Sequence, residues 1–316
     1  VVEGLVGLVG GEDAESARHA GRTLANLSRG VGNQKRLLAH PAALPALIDM
    51  LVSADPEVQR YGGGVFANLA CDAANPAAIS DHPHCLQRLT RLLRSQDAET
   101  ARYAALALAN LACDPAKQAQ IGAEEQVFVD LAALLSSGED AAARHAARAL
   151  ANLAWNPVNR SKIATLPVVQ EAIAGVLDSG EGEARRYAVG AVANLLYRNI
   201  ELQAWILNRP ASFRVLGKLL ASDDAETRRY AARAVANVSR NAAGREALNS
   251  SEEILRNVGQ LVVQADAEAR RHAQRALAAL APPSSEAARD GAQMGGGGGG
   301  GGWRAEAGLL QVLDGG

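Results

Sequence analysis

Apolar residues return along this chain at a fixed interval. Leu5, Leu47, Leu89, Leu131, Ile173, Leu216 and Val258 stand 42 or 43 residues apart. Three and four places further on come second apolar pairs such as Leu92/Leu93, Leu134/Leu135 and Leu219/Leu220. Spacing of i, i+3 and i+4 marks one buried helix face. A polar break follows (SADPE at 53–57, SQDAE at 95–99, SDDAE at 222–226), and then a longer periodic stretch that closes on an asparagine. Those asparagines are Asn26, Asn68, Asn110, Asn152, Asn194 and Asn237, at steps of 42, 42, 42, 42 and 43 residues. One further step reaches Ala279, where the frame persists and the amide is lost. A register held this long is a tandem repeat.

Each repeat predicts three helices: one of medium length, a long one and a short one. Asp13, Asp55, Asp97, Asp224 and Asp266 all precede the asparagine position by thirteen residues. An aspartate there accepts hydrogen bonds from the free N–H groups that open the long helix, and Pro56 suits a first-turn position. Glutamates two places later (Glu15, Glu57, Glu99, Glu226, Glu268) favour the same positive helix end. The short helix is marked eleven residues beyond the asparagine by Leu37, Ile79, Ile121, Ile163, Trp205 and Leu248.

Residues 99–121, ETARYAALALANLACDPAKQAQI, closely resemble armadillo repeats, and the resemblance recurs seven times over nearly the whole chain. It implies an all-α fold, a right-handed α-solenoid of about seven repeats plus a truncated eighth. The ARYAAxALANLA flavour is most similar to vacuole-type and other cytoplasmic armadillo scaffolds, and less so to β-catenin. The units run about 1–42, 43–84, 85–126, 127–168, 169–211, 212–253 and 254–294. Pro282, Pro283 and Ser284 break the seventh where its short helix would begin. The glycines at 295–302 read as a loop inserted in the array, because GLLQVLDGG at 308–316 matches GLVGLVGGE at 4–12. Residues 303–316 are then the first helix of the truncated repeat. The chain starts at Val1 inside a periodic pattern, so a piece of a longer protein is expected. One local weakness is Gly62, Gly63 and Gly64 in a long helix, at about 1 kcal/mol each relative to alanine. Either the backbone opens there, something approaches too closely for a side chain, or the sequence has drifted.

Composition narrows the function. Alanine and leucine dominate, aromatic residues are 3%, and the net charge of −2 with a pI near 6.4 points to neither nucleic acid nor an anionic membrane. No run of about 18 apolar residues is present, so no direct membrane insertion is expected. Cys71, Cys85 and Cys113 have no paired spacing; a reducing, cytoplasmic compartment is the expectation, with any peripheral membrane role carried by regions outside this stretch. His82, His84 and Cys85 form H-P-H-C without a second ligand cluster, which disfavours a metal. No nucleophile elbow, phosphate-binding glycine loop or zinc-protease motif occurs. No catalytic residue, cofactor or metal is therefore assigned, and the chain is expected not to be an enzyme.

The resemblance implies that the long helices line a concave groove for extended peptide segments, the asparagines gripping peptide backbone. An amide both donates and accepts, so it suits that task. Bonding to a neighbouring repeat is the equal alternative for each, with the central three favoured for ligand contact. Where nuclear import receptors of the importin-α type carry tryptophan four residues earlier, this chain has Arg22, Gly64, Leu106, Arg148, Gly190, Arg233 and Arg275. Seven residues before the ladder stand His19, Tyr61, Tyr103, His145, Tyr187, Tyr230 and His272. Extended or helical protein segments that are acidic, phosphorylated or aromatic-bearing fit such a surface better than basic cargo. The candidate contacts are the six asparagines, Arg148 and Arg233 for acidic groups, and Tyr103, Tyr187 and Trp155 as apolar anchors. Trp155 and Tyr197 are equally open to a packing role. An arginine column at 18, 60, 102, 144, 186, 229 and 271 reads two ways, with a structural lattice of ion pairs favoured over an anion-gripping stripe. The fold also suits two other functions: the regulatory part of a larger enzyme of ubiquitin-ligase, kinesin or NAD-hydrolase type, and, less well, a nuclear transport receptor.

Overall fold

The structure, a computed structural model, describes residues 1–72, 75, 79, 82, 84–179 and 182–280. The proline break at 282–284, the glycine run and the truncated repeat lie outside the described residues. Among the described residues the fold is all-α, with nineteen helices and no strand. None of these helices is long and apolar enough to cross a membrane. The chain divides into two compact units, Val1–Ala191 and Val192–Gly316.

In the first unit the repeating set is medium, long and short. It reads Val2–Val9, Ala14–Leu27 and Val31–Ala39, then Ala43–Met50 and Pro56–Leu69. The third and fourth sets are Cys85–Leu92, Ala98–Leu111, Pro115–Ile121 and Gln126–Leu135, Asp140–Leu153, Pro157–Ala164. Pro167–Ser179 and Gly182–Leu195 follow. Each long helix is 14 residues, and consecutive long helices pack side by side from Ala14–Leu27 through Asp140–Leu153. Alanine makes this close contact possible: Ala104, Ala105, Ala107 and Ala109 are all buried between neighbours. Leu24, Leu108 and Leu150 fill the stripe behind them, each worth roughly 1.5–3 kcal/mol on burial. The first helix buries none of its residues.

The glycine triplet resolves into one tight contact and two looser ones. A Cβ at Gly62 would lie 2.8 Å from the Met50 Cβ, and one at Gly63 would lie 3.3 Å from the Tyr103 Cβ. At Gly64 the nearest atoms are ring carbons of Tyr103 at 3.9 Å, an ordinary contact. The helix itself is unbroken. Close approach, rather than an opened backbone, therefore accounts for the first glycine.

The second unit contains Ile200–Leu207, then Pro210–Leu219, Ala225–Val238 and Ala242–Asn249, then Glu252–Gln264 and Ala267–Leu280. Its last two long helices pack on each other. Leu216, Val258 and Leu248 are buried as the periodicity requires. Trp205 is a correction: it is half-exposed, and Ile206 takes the buried position instead. The cause is local. Between the long and short helices the other repeats whose short helix is described place three residues, whereas Leu196–Asn199 makes four, with Arg198 at φ 54°. That extra turn residue also accounts for the single 43-residue step between asparagines.

The helix starts form as the sequence requires in both units. Asp13 accepts from the Ser16 N–H, Asp55 from Glu57 and Val58, Asp97 from Thr100, Asp224 from Thr227, and Asp266 from Glu268 and Ala269. Each cap of this kind is worth about 1 kcal/mol.

Candidate functional site

The asparagine ladder is first of all a set of rungs between repeats. In the first unit the Asn68 amide donates to the Ala25 carbonyl at 3.2 Å and to Ser28 Oγ at 2.9 Å. Asn110 donates to Ala67 O (3.2 Å) and Cys71 Sγ (3.1 Å), and Asn152 to Ala109 O (2.9 Å) and Cys113 Sγ (3.4 Å). In the second unit Asn237 donates to Ala193 O at 2.8 Å. In each of these four, one acceptor is the carbonyl of the alanine just before the preceding asparagine. Asn110, Asn194 and Asn237 are buried, Asn68 and Asn152 half-buried, and Asn26, in the first repeat, is exposed. With both N–H groups of Asn68, Asn110 and Asn152 directed at the preceding repeat, Oδ1 is the atom each has left to offer a ligand.

A second amide ladder went unread in the sequence. Gln34 donates to the carbonyls of Ser28 and Asn68, and Asn75 donates to Gln34 Oε1 and to Leu69 O. Asn159 donates to the carbonyls of Gln118 and Leu153. In the second unit Gln203 holds the carbonyls of Leu196 and Asn237, and Asn241 donates to Gln203. The bonds to Ser28, Asn68, Leu69, Leu153, Leu196 and Asn237 satisfy carbonyls left open where a long helix ends. The signal was present as an amide seven to nine residues after most ladder positions, but its irregular offset hid it.

From Arg18 to Arg229 the arginines of the column are ion-paired. Arg18 bonds Asp55 at 2.7 Å, the cap of the next helix; Arg60 lies 3.9 Å from Asp97 and 3.5 Å from Glu99; Arg144 bonds Glu183 at 2.7 Å. Arg102 and Arg186 pair with glutamates three residues back on their own helices, Glu99 and Glu183. Arg229 bonds Asp266 at 2.9 Å in the second unit. The carboxylates respond. The Arg144 hydrogen bond holds Glu183 below its usual range. At Asp55 burial pushes the pKa up, but the Arg18 bond and the N–H groups of Val58 and Glu57 outweigh it and the net shift is down. Asp266 behaves likewise, with Ala269 N–H and Arg229 prevailing over burial.

One turn further along the same helices the picture changes. Arg148 is half-buried and has no carboxylate partner among the described residues; its Nη2 lies 3.9 Å from Cys113 Sγ, the atom Asn152 also reaches. Arg102 lies over the Tyr103 ring at 4.4 Å, so Tyr103, Arg148, Asn110 and Asn152 belong to two packed helices around Cys113. His145 is buried in the same region, and burial with Arg144, Arg102 and Arg148 nearby pushes its pKa down to about 4, leaving the ring neutral near pH 7. Tyr187 is half-buried beneath Arg186 at 5.2 Å, and Trp155 is 55% exposed. In the second unit Arg233 stacks on Tyr230 at 5.1 Å, and burial lowers its pKa. Tyr197 there lies between Arg198 and Arg240, at 5.4 and 5.8 Å. Elsewhere in the first unit a cleft of about 370 Å³ is lined by His82, Arg91, Arg94, Gln126 and Asp130, with Arg94 already bonded to Asp130 at 2.7 Å. Cys85 is a sealed thiol, raised to about 12 by burial.

Residues 73–113 match the family model of the armadillo/beta-catenin-like repeat. Among solved structures, an engineered protein is 32% identical, with 75% of this chain and 96% of that one covered and a TM-score of 0.67. A designed armadillo repeat protein solved in complex with the peptide (KR)4 is 23% identical over 75% of this chain and 99% of its own, with a TM-score of 0.64. Another, from computationally designed armadillo repeat proteins for modular peptide recognition, is 24% identical over 75% and 99%, with a TM-score of 0.66. No curated protein matches the chain.

Proposed function

Because the chain belongs to the armadillo-repeat family, we propose that it is a non-catalytic interaction scaffold whose long-helix face holds segments of partner proteins, with acidic or phosphorylated segments preferred. The observation that carries this reading is the contrast on one face. Column arginines such as Arg60, Arg144 and Arg229 have carboxylate partners, while Arg148 has none among the described residues. A half-buried guanidinium without a counter-charge is a ready receptor for a carboxylate or phosphate. The aromatic residues Tyr103, Tyr187 and Trp155 add apolar anchors beside it. Solved designed relatives of the same fold include a complex with a peptide and a set made for modular peptide recognition, which supports a peptide as the ligand class. Ladder asparagines contribute through Oδ1, as acceptors from peptide N–H groups, their donors being committed to the stack.

The test is a peptide array carrying acidic, phosphorylated, neutral and lysine-rich segments, probed with wild type and Arg148→Gln. Acidic and phosphorylated spots are expected to dominate and to fade in the variant. A lysine-rich preference, or an unchanged pattern in Arg148→Gln, overturns the reading.

A further inference from the structure

Three long helices share a sequence element that the ladder does not need: Arg18-His19-Ala-Gly-Arg22, Arg144-His145-Ala-Ala-Arg148 and Arg271-His272-Ala-Gln-Arg275. They are three repeats apart, and in the repeats between them the histidine is tyrosine. In a helix, residues at i and i+3 or i+4 share a face, so each element presents an imidazole between two guanidiniums.

The copy at 144–148 is the most completely walled. Its own helix supplies Arg144 and Arg148, the preceding long helix supplies Arg102, and the following one supplies Glu183, the one acid among the groups acting on His145. Arg60, Arg102 and Arg144 each have a carboxylate partner, Glu99 being shared by the first two and Glu183 by Arg144 and Arg186, whereas Arg148 has none among the described residues. His145 is only 7% exposed, yet its Nδ1 is buried without a hydrogen-bond partner, and its Nε2 lies 3.5 Å from Arg144 Nη2. Native cores rarely leave such an atom unmatched. A monoanion beside Arg148 would balance the surplus guanidinium and leave the imidazole neutral. A dianion would balance Arg148 and a proton on His145 together.

We propose that Arg148, His145 and Arg102 form a seat for a phosphate monoester carried on a partner segment, with His145 taking up a proton as the phosphate binds. This rests on the groove reading above and gives its ligand a specific chemistry. The seat lies at the helix–helix contact beside the ladder, where Asn152 and Arg148 both reach Cys113 Sγ, so a phosphorylated side chain from a segment following the ladder would enter it. The copy in the second unit has the same composition: burial, Arg233 of the preceding long helix and Arg275 hold His272 down, and its Nδ1 is likewise buried without a partner. His19 is the open version, 73% exposed and 3.8 Å from Glu15.

The probes are phenyl phosphate, a dianion near neutral pH, and benzenesulfonate, a monoanion of similar size. Both are titrated into the intact chain while the histidine ring protons are followed by NMR from pH 4 to 8. Phenyl phosphate is expected to raise the His145 midpoint from about 4 by about two pH units or more, into the range above about pH 6 where the ester is a dianion, and to leave His19 in place, since a nearby opposite charge favours the protonated ring. Arg148→Gln, a partly exposed substitution that keeps the stack, is expected to weaken phenyl phosphate binding about tenfold or more. Equal binding of the two probes, an unmoved His145, or capture only on vesicles containing phosphoinositide overturns the seat. The groove reading fails separately: if Arg148→Gln retains acidic peptides at full strength, the groove is wrong, whereas acidic peptides lost from the variant without any phosphate preference sink the seat alone.

Discussion

Arg144 and Arg148 stand one turn apart on the same helix and live in different chemical settings. Arg144 belongs to a stripe that crosses from repeat to repeat, bonded to Glu183 of the next long helix. Arg148 belongs to a stripe in which the corresponding positions of the adjacent repeats are Leu106 and Gly190, and it has no carboxylate partner among the described residues. The difference lies in what the adjacent repeat presents rather than in the arginine. A stripe with acids at the same height becomes a lattice, and a stripe without them stays available to a ligand.

The contrast can be broken in four ways, taken from the largest expected effect. First, His145 sits between the two stripes as a neutral ring. Its folded pKa lies near 4, below the unfolded value of 6.5, so the unfolded chain binds more protons between those values. Stability from this group is therefore full above about pH 6.5 and declines as the pH falls toward 4, by on the order of 3 kcal/mol. Urea unfolding at pH 7 and pH 4.5 should show this loss in wild type and little of it in His145→Gln. An equal loss in both proteins would place the effect elsewhere.

Second, Asn110→Ala should cost about 2 kcal/mol, because it removes both hydrogen bonds of a buried amide, to the Ala67 carbonyl and to Cys71 Sγ. Asn26→Ala, at an exposed position, should stay within about 0.5 kcal/mol. Matching thermal shifts for the two variants would mean that the ladder is not a set of rungs.

Third, Gly62→Ala should destabilise by about 1–3 kcal/mol despite its higher helix propensity, since its methyl meets Met50 at 2.8 Å. Gly64→Ala faces only ordinary contact and should stabilise by up to about 1 kcal/mol. Melting temperatures that move the same way for both would contradict the close approach.

Fourth, and smallest in stability, Arg144→Ala should lose about 0.2–1 kcal/mol, the usual worth of a solvent-exposed ion pair, and its loss should shrink at high salt. Arg148→Ala should unfold within about 0.5 kcal/mol of wild type while losing acidic peptides. A variant of Arg148 that melts far lower would move this residue into the stack.

Much of this was readable from residue order because its causes are local. Aspartate caps act within three residues, and apolar periodicity depends only on which face of one helix is buried. Asp13, Asp55, Asp97, Asp224 and Asp266 therefore fell where the pattern put them. The register slip at Trp205 was not readable, since a four-residue turn and a three-residue turn carry the same polar composition. Only the buried side chain, Ile206, shows which register packed. The role of Asn110 was also undecided in sequence. Its amide suits a peptide as well as a neighbour, and the choice depends on where the Ala67 carbonyl lies, 43 residues away.

The sequence by itself determined the repeat, its three-helix unit, the helix starts and the list of polar groups on each long helix. The tertiary structure decided which of those groups meet. Ion pairs and amide rungs form between residues about 40 positions apart, and their geometry depends on the distance and rotation between stacked helices. Packing sets those two quantities, and so it decided that Arg144 is bonded while Arg148, one turn away, has no carboxylate partner among the described residues.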